Sequence, residues 1–157
     1  RKDGSVTAGN ASGINDGAAA LVLARAKAAK AAGLTPRFRI LGYAHAGVRP
    51  EIMGIGPIPA VEALLQRTGL TVGDFDVIES NEAFAAQAIA VNRGLGLDPA
   101  KVNPNGGAIA LGHPVGATGA IITIKAMYEL DRTDGRRALI TMCIGGGQGI
   151  ALAIERL

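Results

Sequence analysis

Apolar positions change their spacing several times along the chain, and the changes mark its elements. Residues 18–24 form a continuous run of small apolar side chains, which predicts a buried strand, although spacing alone does not separate it from helix. Residues 25–32 read RAKAAKAA, built from strong helix formers, and Gly33 stands where such a helix ends. Thr35-Pro36 breaks the chain. Residues 37–45 have strand character, with Phe38 and Ile40 on one face. A loop rich in Gly and Pro covers 47–57. Pro59 takes a favoured first position of a helix whose apolar stripe is Val61, Leu64 and Leu65, and Gly69 ends it. A short strand at 76–79 leads into an Ala-rich helix at 83–92, ended by Gly94. A second glycine-rich loop, 103–119, precedes a helix at 120–130, a strand at 138–142, a turn, and a closing strand at 150–155. Strands alternating with helices predict a layered α/β fold. The helix at 83–91 carries almost no charge on any side, which predicts burial between layers.

Composition narrows the function classes. The 157 residues are 48% hydrophobic and 18% charged, a balance that excludes a disordered chain. No apolar run reaches the ~20 residues of a membrane span. One cysteine excludes an internal disulfide and a multi-cysteine zinc site. Aromatics are 3% with no tryptophan, which argues against stacking platforms for nucleic acid. The net charge of +3 is a slight hint of an anionic ligand. The chain opens on Arg1-Lys2-Asp3-Gly4, which reads as the middle of a loop. With no initiator Met and no secretory signal, it is expected to be cytoplasmic and part of a longer polypeptide.

The 23 glycines cluster around three polar islands. The first, ESNEAF at 79–84, lies at a strand-to-helix junction, where Asn81 or Ser80 could serve simply as a helix cap. The second, residues 103–116, holds His113 between Gly112 and Pro114. A lone loop histidine is usually just exposed. Here small neighbours let a ligand approach the ring, and the following proline restricts its backbone. The third, CIGGGQG at 143–149, places Cys143 beside three glycines. A flexible hairpin is one reading. Backbone N–H groups aimed at an oxyanion beside a thiol is another. A phosphate loop fits poorly, because Ile150, Leu152 and Ile154 alternate as in a strand, where such a loop would lead into a helix. A lone cysteine is by default a buried structural residue. Taken together, a thiol, an imidazole, an amide and free N–H groups point to acyl chemistry.

Four segments carry a resemblance to a known family: NASGINDG at 10–17, NEAFAAQ at 81–87, GGAIALGHP at 106–114 and CIGGGQG at 143–149. They resemble the thiolases (acetyl-CoA C-acyltransferases), in the family's order and over essentially the whole chain, with MGIGP at 53–57 matching between them. The likeness is nearest to bacterial biosynthetic or broad-chain-length β-ketothiolases, with 3-oxoadipyl-CoA thiolases close. It implies a ping-pong Claisen condensation, or its reverse thiolysis, through an acyl-cysteine. Coenzyme A thioesters are then substrates, and no cofactor is needed. It implies that Cys143 is the acid/base toward the α-carbon, that His113 activates the nucleophilic cysteine, and that Asn81 holds a water in an oxyanion hole. The Gly145 N–H would serve a second hole. Ala8, Ala11 and Ser12 would line the pantetheine, and Met53, Ala83 and Phe84 the acyl and pantetheine tunnel.

The family's nucleophilic cysteine has no counterpart here. The resemblance therefore implies the C-terminal half of the five-layered thiolase fold, a mixed sheet with helices on both faces. Residues 37–157 would be that half. Residues 1–36 would be the tail of the loop region with the last strand and helix of the N-terminal half. The expected partners are acyl-CoA, a complementary N-terminal half and further copies in a homo-oligomer, tetrameric in the intact family, with no nucleic acid and no membrane. The isolated chain is then expected to be inactive and to expose the helix at 83–91. Two alternatives are a non-catalytic acyl-CoA or lipid-binding module and a subunit of a hetero-complex.

Overall fold

The computed structural model describes residues 3–157; of the opening loop expected at 1–4, Arg1 and Lys2 lie outside the described residues. A four-stranded mixed sheet runs through the middle, in the order β1 (Phe38–Gly47), β4 (Gln148–Arg156), β3 (Arg137–Ile144), β2 (Val77–Ser80). β1 and β3 both pair antiparallel to β4, and β2 pairs parallel to β3. A single parallel bridge from Ile78 to Val102 extends the β2 edge.

Helix α2 (Pro57–Thr68) covers one face against β1 and β4. Its buried Ala60, Val61 and Leu64 meet Ala44, Phe75, Ile78, Leu139, Ala151 and Ala153. Helix α5 (Thr118–Thr133) covers the other face, where Ile122, Ala126 and Leu130 pack on Val77, Ala138, Ile140 and Ile154. Each face therefore has its own apolar core, and the α/β class expected from the alternating pattern holds. Alternation along β4 serves both: Ala151 and Ala153 face α2, and Ile154 faces α5.

Several boundaries differ from the expected ones, for local reasons. α2 begins at Pro57, so Pro59 sits within the first turn, where a missing N–H costs nothing. Helix α3 (Ala85–Leu95) runs through Gly94 and stops at Gly96, which adopts φ 61°. Gly94 is a packing residue: a Cβ there would strike Ile58 of α2. The loop at 103–119 contains a one-turn helix, α4 (Ala108–Leu111), and α5 starts two residues earlier than expected. In β1 the register shifts between Ile40 and Gly42, so Phe38 packs beneath α5 while Leu41 and Ala46 pack beneath α2.

The largest differences lie at the two small-apolar runs. Residues 18–24 form no strand; among the described residues no neighbouring strand offers them a ladder, and Val22 and Leu23 stand 92% and 70% exposed. Only the short α1 (Ala26–Ala31) comes after them, as the Ala/Lys pattern predicts. α3 is not enclosed between layers. It buries Gln87 and Val91 and leaves Ile89 half exposed, as the half-fold reading expected.

Candidate active site

The site is assembled where the parallel pair β2–β3 ends, the edge at which open α/β sheets collect their ligands. Asn81 comes directly after β2, and its backbone N–H donates to the Thr141 carbonyl of β3 at 3.0 Å. It caps no helix: α3 begins four residues later with Phe84 at its N-cap position. The Asn81 side chain is buried and lies 3.4 Å, Nδ2 to Nε2, from His113.

His113 is held from three directions. Its backbone N–H donates to the Gly13 carbonyl at 3.0 Å and to Asn15 Oδ1 at 3.2 Å. Its Nδ1 lies 2.7 Å from Thr118 Oγ1, which donates to the Pro114 carbonyl at 2.9 Å. Because the Thr118 proton is committed to that carbonyl, the hydroxyl oxygen accepts from Nδ1–H. The network thus assigns the tautomer with the Nε2 lone pair facing Asn81. Burial lowers the His113 pKa, which favours the neutral ring that this arrangement requires. Gly112 makes the turn possible: it adopts φ 97°, and a Cβ there would collide with Asn15.

The segment 10–15 ties the islands together. Ser12 donates to the Ala83 carbonyl through both N–H (3.0 Å) and Oγ (3.2 Å), and Ala85 N–H donates to Asn10 at 2.9 Å. Bridges join Ala11 to Phe84 and Ile14 to His113. Ala11, Ser12, Ala83 and Phe84 are therefore neighbours at the mouth of α3. Ala8 is exposed in the turn before them. Met53 sits half-buried in the 3-10 turn Pro50–Ile55, which packs on α3 and β3.

Cys143 lies within β3 rather than in the turn, paired with Gly149 of β4. It stands two residues beyond Thr141, the residue whose carbonyl accepts from the Asn81 N–H. It is 7% exposed, and burial raises its thiol pKa. The hairpin is anchored: Val48 N–H donates to Gly147 at 2.7 Å, and a Cβ on Gly149 would run into the Gly56 backbone. Gly145 is exposed with open space around its Cβ direction, so packing does not demand a glycine there.

Spacing gave no warning of the groups that grip the His113 loop. Glu82 accepts from Ile109 N–H at 3.3 Å in α4, and Glu129 accepts from Asn105 at 2.8 Å. Asn103 brackets Ser80, accepting from its N–H at 2.9 Å and donating to its carbonyl at 2.8 Å. Lys125 of α5 donates to Glu79 Oε2 at 2.9 Å and to the Gly106 carbonyl at 2.5 Å. Burial raises the Glu79 carboxyl pKa, and Lys125 only partly offsets it. Thr118 had one available signal: a hydroxyl five residues after the histidine, at the start of a helix. Among the described residues there is no cluster of side chains suited to a metal and no helix long and apolar enough to cross a membrane.

Comparison with known proteins identifies the class. The thiolase C-terminal domain matches residues 34–156 and the thiolase N-terminal domain residues 1–27, so the chain belongs to the thiolase family. It is 63% identical to the beta-ketothiolase BktB of Cupriavidus necator over all of this chain and 40% of that protein. It is 62% identical to a beta-ketoadipyl-CoA thiolase of Pseudomonas putida, over 99% of this chain and 39% of that one. The Bacillus anthracis acetyl-CoA acetyltransferase superposes with a TM-score of 0.97 at 54% identity, over 100% of this chain and 40% of that one. A human mitochondrial 3-ketoacyl-CoA thiolase in complex with CoA gives 0.92 at 48%, with the same coverage of each chain. The chain spans about 40% of the length of the curated relatives it matches.

Proposed function

We propose that this chain supplies the second cysteine, the histidine and the asparagine of an acyl-CoA thiolase. That enzyme condenses acetyl-CoA with an acyl-enzyme to a 3-oxoacyl-CoA, and catalyses the reverse. The observation that carries the reading is the hydrogen-bonded series Thr118–His113–Asn81 at the sheet edge that also holds a buried thiol.

Each residue has a role its surroundings suit. His113, neutral with its Nε2 lone pair inward, accepts the proton of the nucleophilic cysteine as that sulfur attacks the thioester. Asn81 Nδ2 and a water it holds stabilise the thioester oxygen. Cys143 as thiolate takes a proton from C2 of acetyl-CoA. The resulting carbanion attacks the acyl-enzyme carbonyl, and the nucleophilic sulfur leaves. A thiol with a raised pKa is a weak acid and, once ionised, a correspondingly strong base toward carbon. The Gly145 N–H supports the enolate oxygen. Ala8, Ala11 and Ser12 line the pantetheine, while Met53, Ala83 and Phe84 line the acyl and pantetheine tunnel.

The nucleophile comes from outside these residues, since Cys143 is the one cysteine of the chain. Ile14, Val22, Leu23 and Ile89 are 93%, 92%, 70% and 50% exposed, an apolar surface suited to a complementary N-terminal thiolase half. In this reading residues 1–36 close that N-terminal half and 37–157 form the C-terminal one. The assembled enzyme is a cytoplasmic homo-oligomer, a tetramer, that uses CoA thioesters as substrates and needs no cofactor.

Labelling the assembled enzyme with radioactive acetyl-CoA tests the division of roles. Cys143→Ala is expected to retain the acyl label and lose condensation, whereas His113→Ala is expected to acylate slowly. Failure of Cys143→Ala to take up label, or wild-type acylation by His113→Ala, refutes it. The 157-residue chain alone is expected to give no thiolysis of acetoacetyl-CoA.

A further inference from the structure

Behind the site lies a small cavity of about 30 Å³, walled in part by Glu79, Asn81, Thr118, Ile122 and Lys125. Two of these residues, Asn81 and Thr118, bond the His113 ring. The cavity also holds an unmet requirement. Glu79 Oε1 and Asn81 Oδ1 are both buried without a partner, in side chains 1% and 3% exposed. Two residues apart along one strand direction, they share the α5 face of the sheet, as the contacts of Glu79 with Lys125 and of Asn81 with His113 agree. Ser80 Oγ is also unpartnered, but Ser80 alternates to the opposite face of the strand; the two orphan atoms on the α5 face are both acceptors. A ligand that satisfies them must donate twice, be small, and tolerate an ammonium group next to it. Water does all three, and a cavity of this size has room for about two molecules.

We propose that a buried water in this cavity donates to both Glu79 Oε1 and Asn81 Oδ1, and that Glu79 and Lys125 act through it as positioning residues for His113. The water fixes the Asn81 amide with its oxygen turned away from the ring, so that Nδ2 is the group offered to Nε2. Lys125 holds the other Glu79 oxygen and the Gly106 carbonyl. One ammonium thereby sets both the strand end carrying Asn81 and the loop leading to His113. This water is distinct from the one proposed to meet the thioester, because it bonds Asn81 Oδ1, while the group offered toward His113 is Nδ2. The use of the imidazole in catalysis rests on the function proposed above; the hydration and the ring's tautomer do not.

The test needs no turnover, so its failure is separable from failure of the catalytic reading. Nitrogen NMR of the 157-residue chain reports the tautomer of His113, with His45 as the internal control. In the double variant Glu79→Met/Lys125→Met, the charges go together and no buried ion is left unpaired. The expected result is a folded protein in which the Nδ1–H tautomer of His113 loses about fivefold in its ratio to the other form, the scale of one hydrogen bond. His45 stays unchanged. Glu79→Gln, which keeps the volume, is expected to move the same signal in the same direction, and it decides the matter if the double variant does not fold. A high-resolution crystal structure is expected to hold a water within hydrogen-bond distance of both oxygens. A dry cavity, or a His113 signal indifferent to these substitutions in folded protein, overturns the proposal.

Discussion

Two buried carboxylates, Glu79 and Glu155, stand at opposite ends of the same sheet and differ in almost every other respect. Glu155 pairs with Arg39, Arg136 and Arg137, which reach it from two strands and the turn before β3. Hydrogen bonding from Arg39 first, and the surrounding guanidinium charge after it, hold its pKa down against the cost of burial. Nearby, Arg37–Asp131 and Arg156–Asp134 add further pairs. Glu79 has one ammonium partner and one empty oxygen, and burial pushes its pKa up. The opposite shifts have different leading causes: desolvation deep in the fold for Glu79, and donated hydrogen bonds from the covering arginines for Glu155, which lies close to the surface beneath them. The arginine-rich end is a satisfied network that closes the sheet. The other end keeps Asn81 Oδ1, Ser80 Oγ and Glu79 Oε1 unmatched, an excess of polar capacity of the kind that marks functional sites.

The contrast can be broken most sharply at the hairpin of the functional end. Gly149→Ala would drive a Cβ into the Gly56 backbone, and is expected to cost about 3 kcal/mol in urea unfolding. At the other end, Glu155→Gln weakens three charge-assisted contacts at once and is expected to cost about 2 kcal/mol, less at high salt.

Titration separates the two ends by sign. Glu155 binds its proton more weakly folded than unfolded, so its contribution to stability is present above the ordinary carboxylate pKa and is lost as pH falls through the lowered folded value. Glu79 binds its proton more tightly when folded, so its contribution rises as pH falls from above its raised pKa toward the ordinary value. Stability measured from neutral pH downward should therefore fall less steeply in Glu155→Gln than in the parent. A parallel pair of curves would contradict the assignment of Glu155.

Thr118→Val removes the acceptor of the His113 Nδ1 proton at nearly constant volume. It is expected to cost about 1 kcal/mol in stability and to slow acylation of the assembled enzyme, with Thr118→Ser restoring the rate. The smallest effect is expected at Gly145→Ala. Its Cβ meets open space and its N–H is retained, so stability should change by less than about 0.5 kcal/mol.

The elements were legible where their signals are local. Ala/Lys spacing, the α2 stripe and the alternation of 150–155 each named an element that is present. The run 18–24 misled because a strand is defined by a neighbour, and none of the described residues pairs with it. Asn81 read locally as a cap, since Asn before an apolar helix is a common one. Its partner is instead an imidazole 32 residues away.

Residue identities alone determined that a thiol, an imidazole and an amide stand in glycine-flanked segments, and the matching of those segments gave the family. Which atoms meet was a matter of tertiary packing. The His113 tautomer depends on the threonine that opens α5, and the Asn81 environment on a strand end held by Lys125. Hydrogen bonds act over about 3 Å, whereas the groups they join around His113 lie up to 98 residues apart in the chain. Only the assembled sheet and its two flanking helices bring them within that reach.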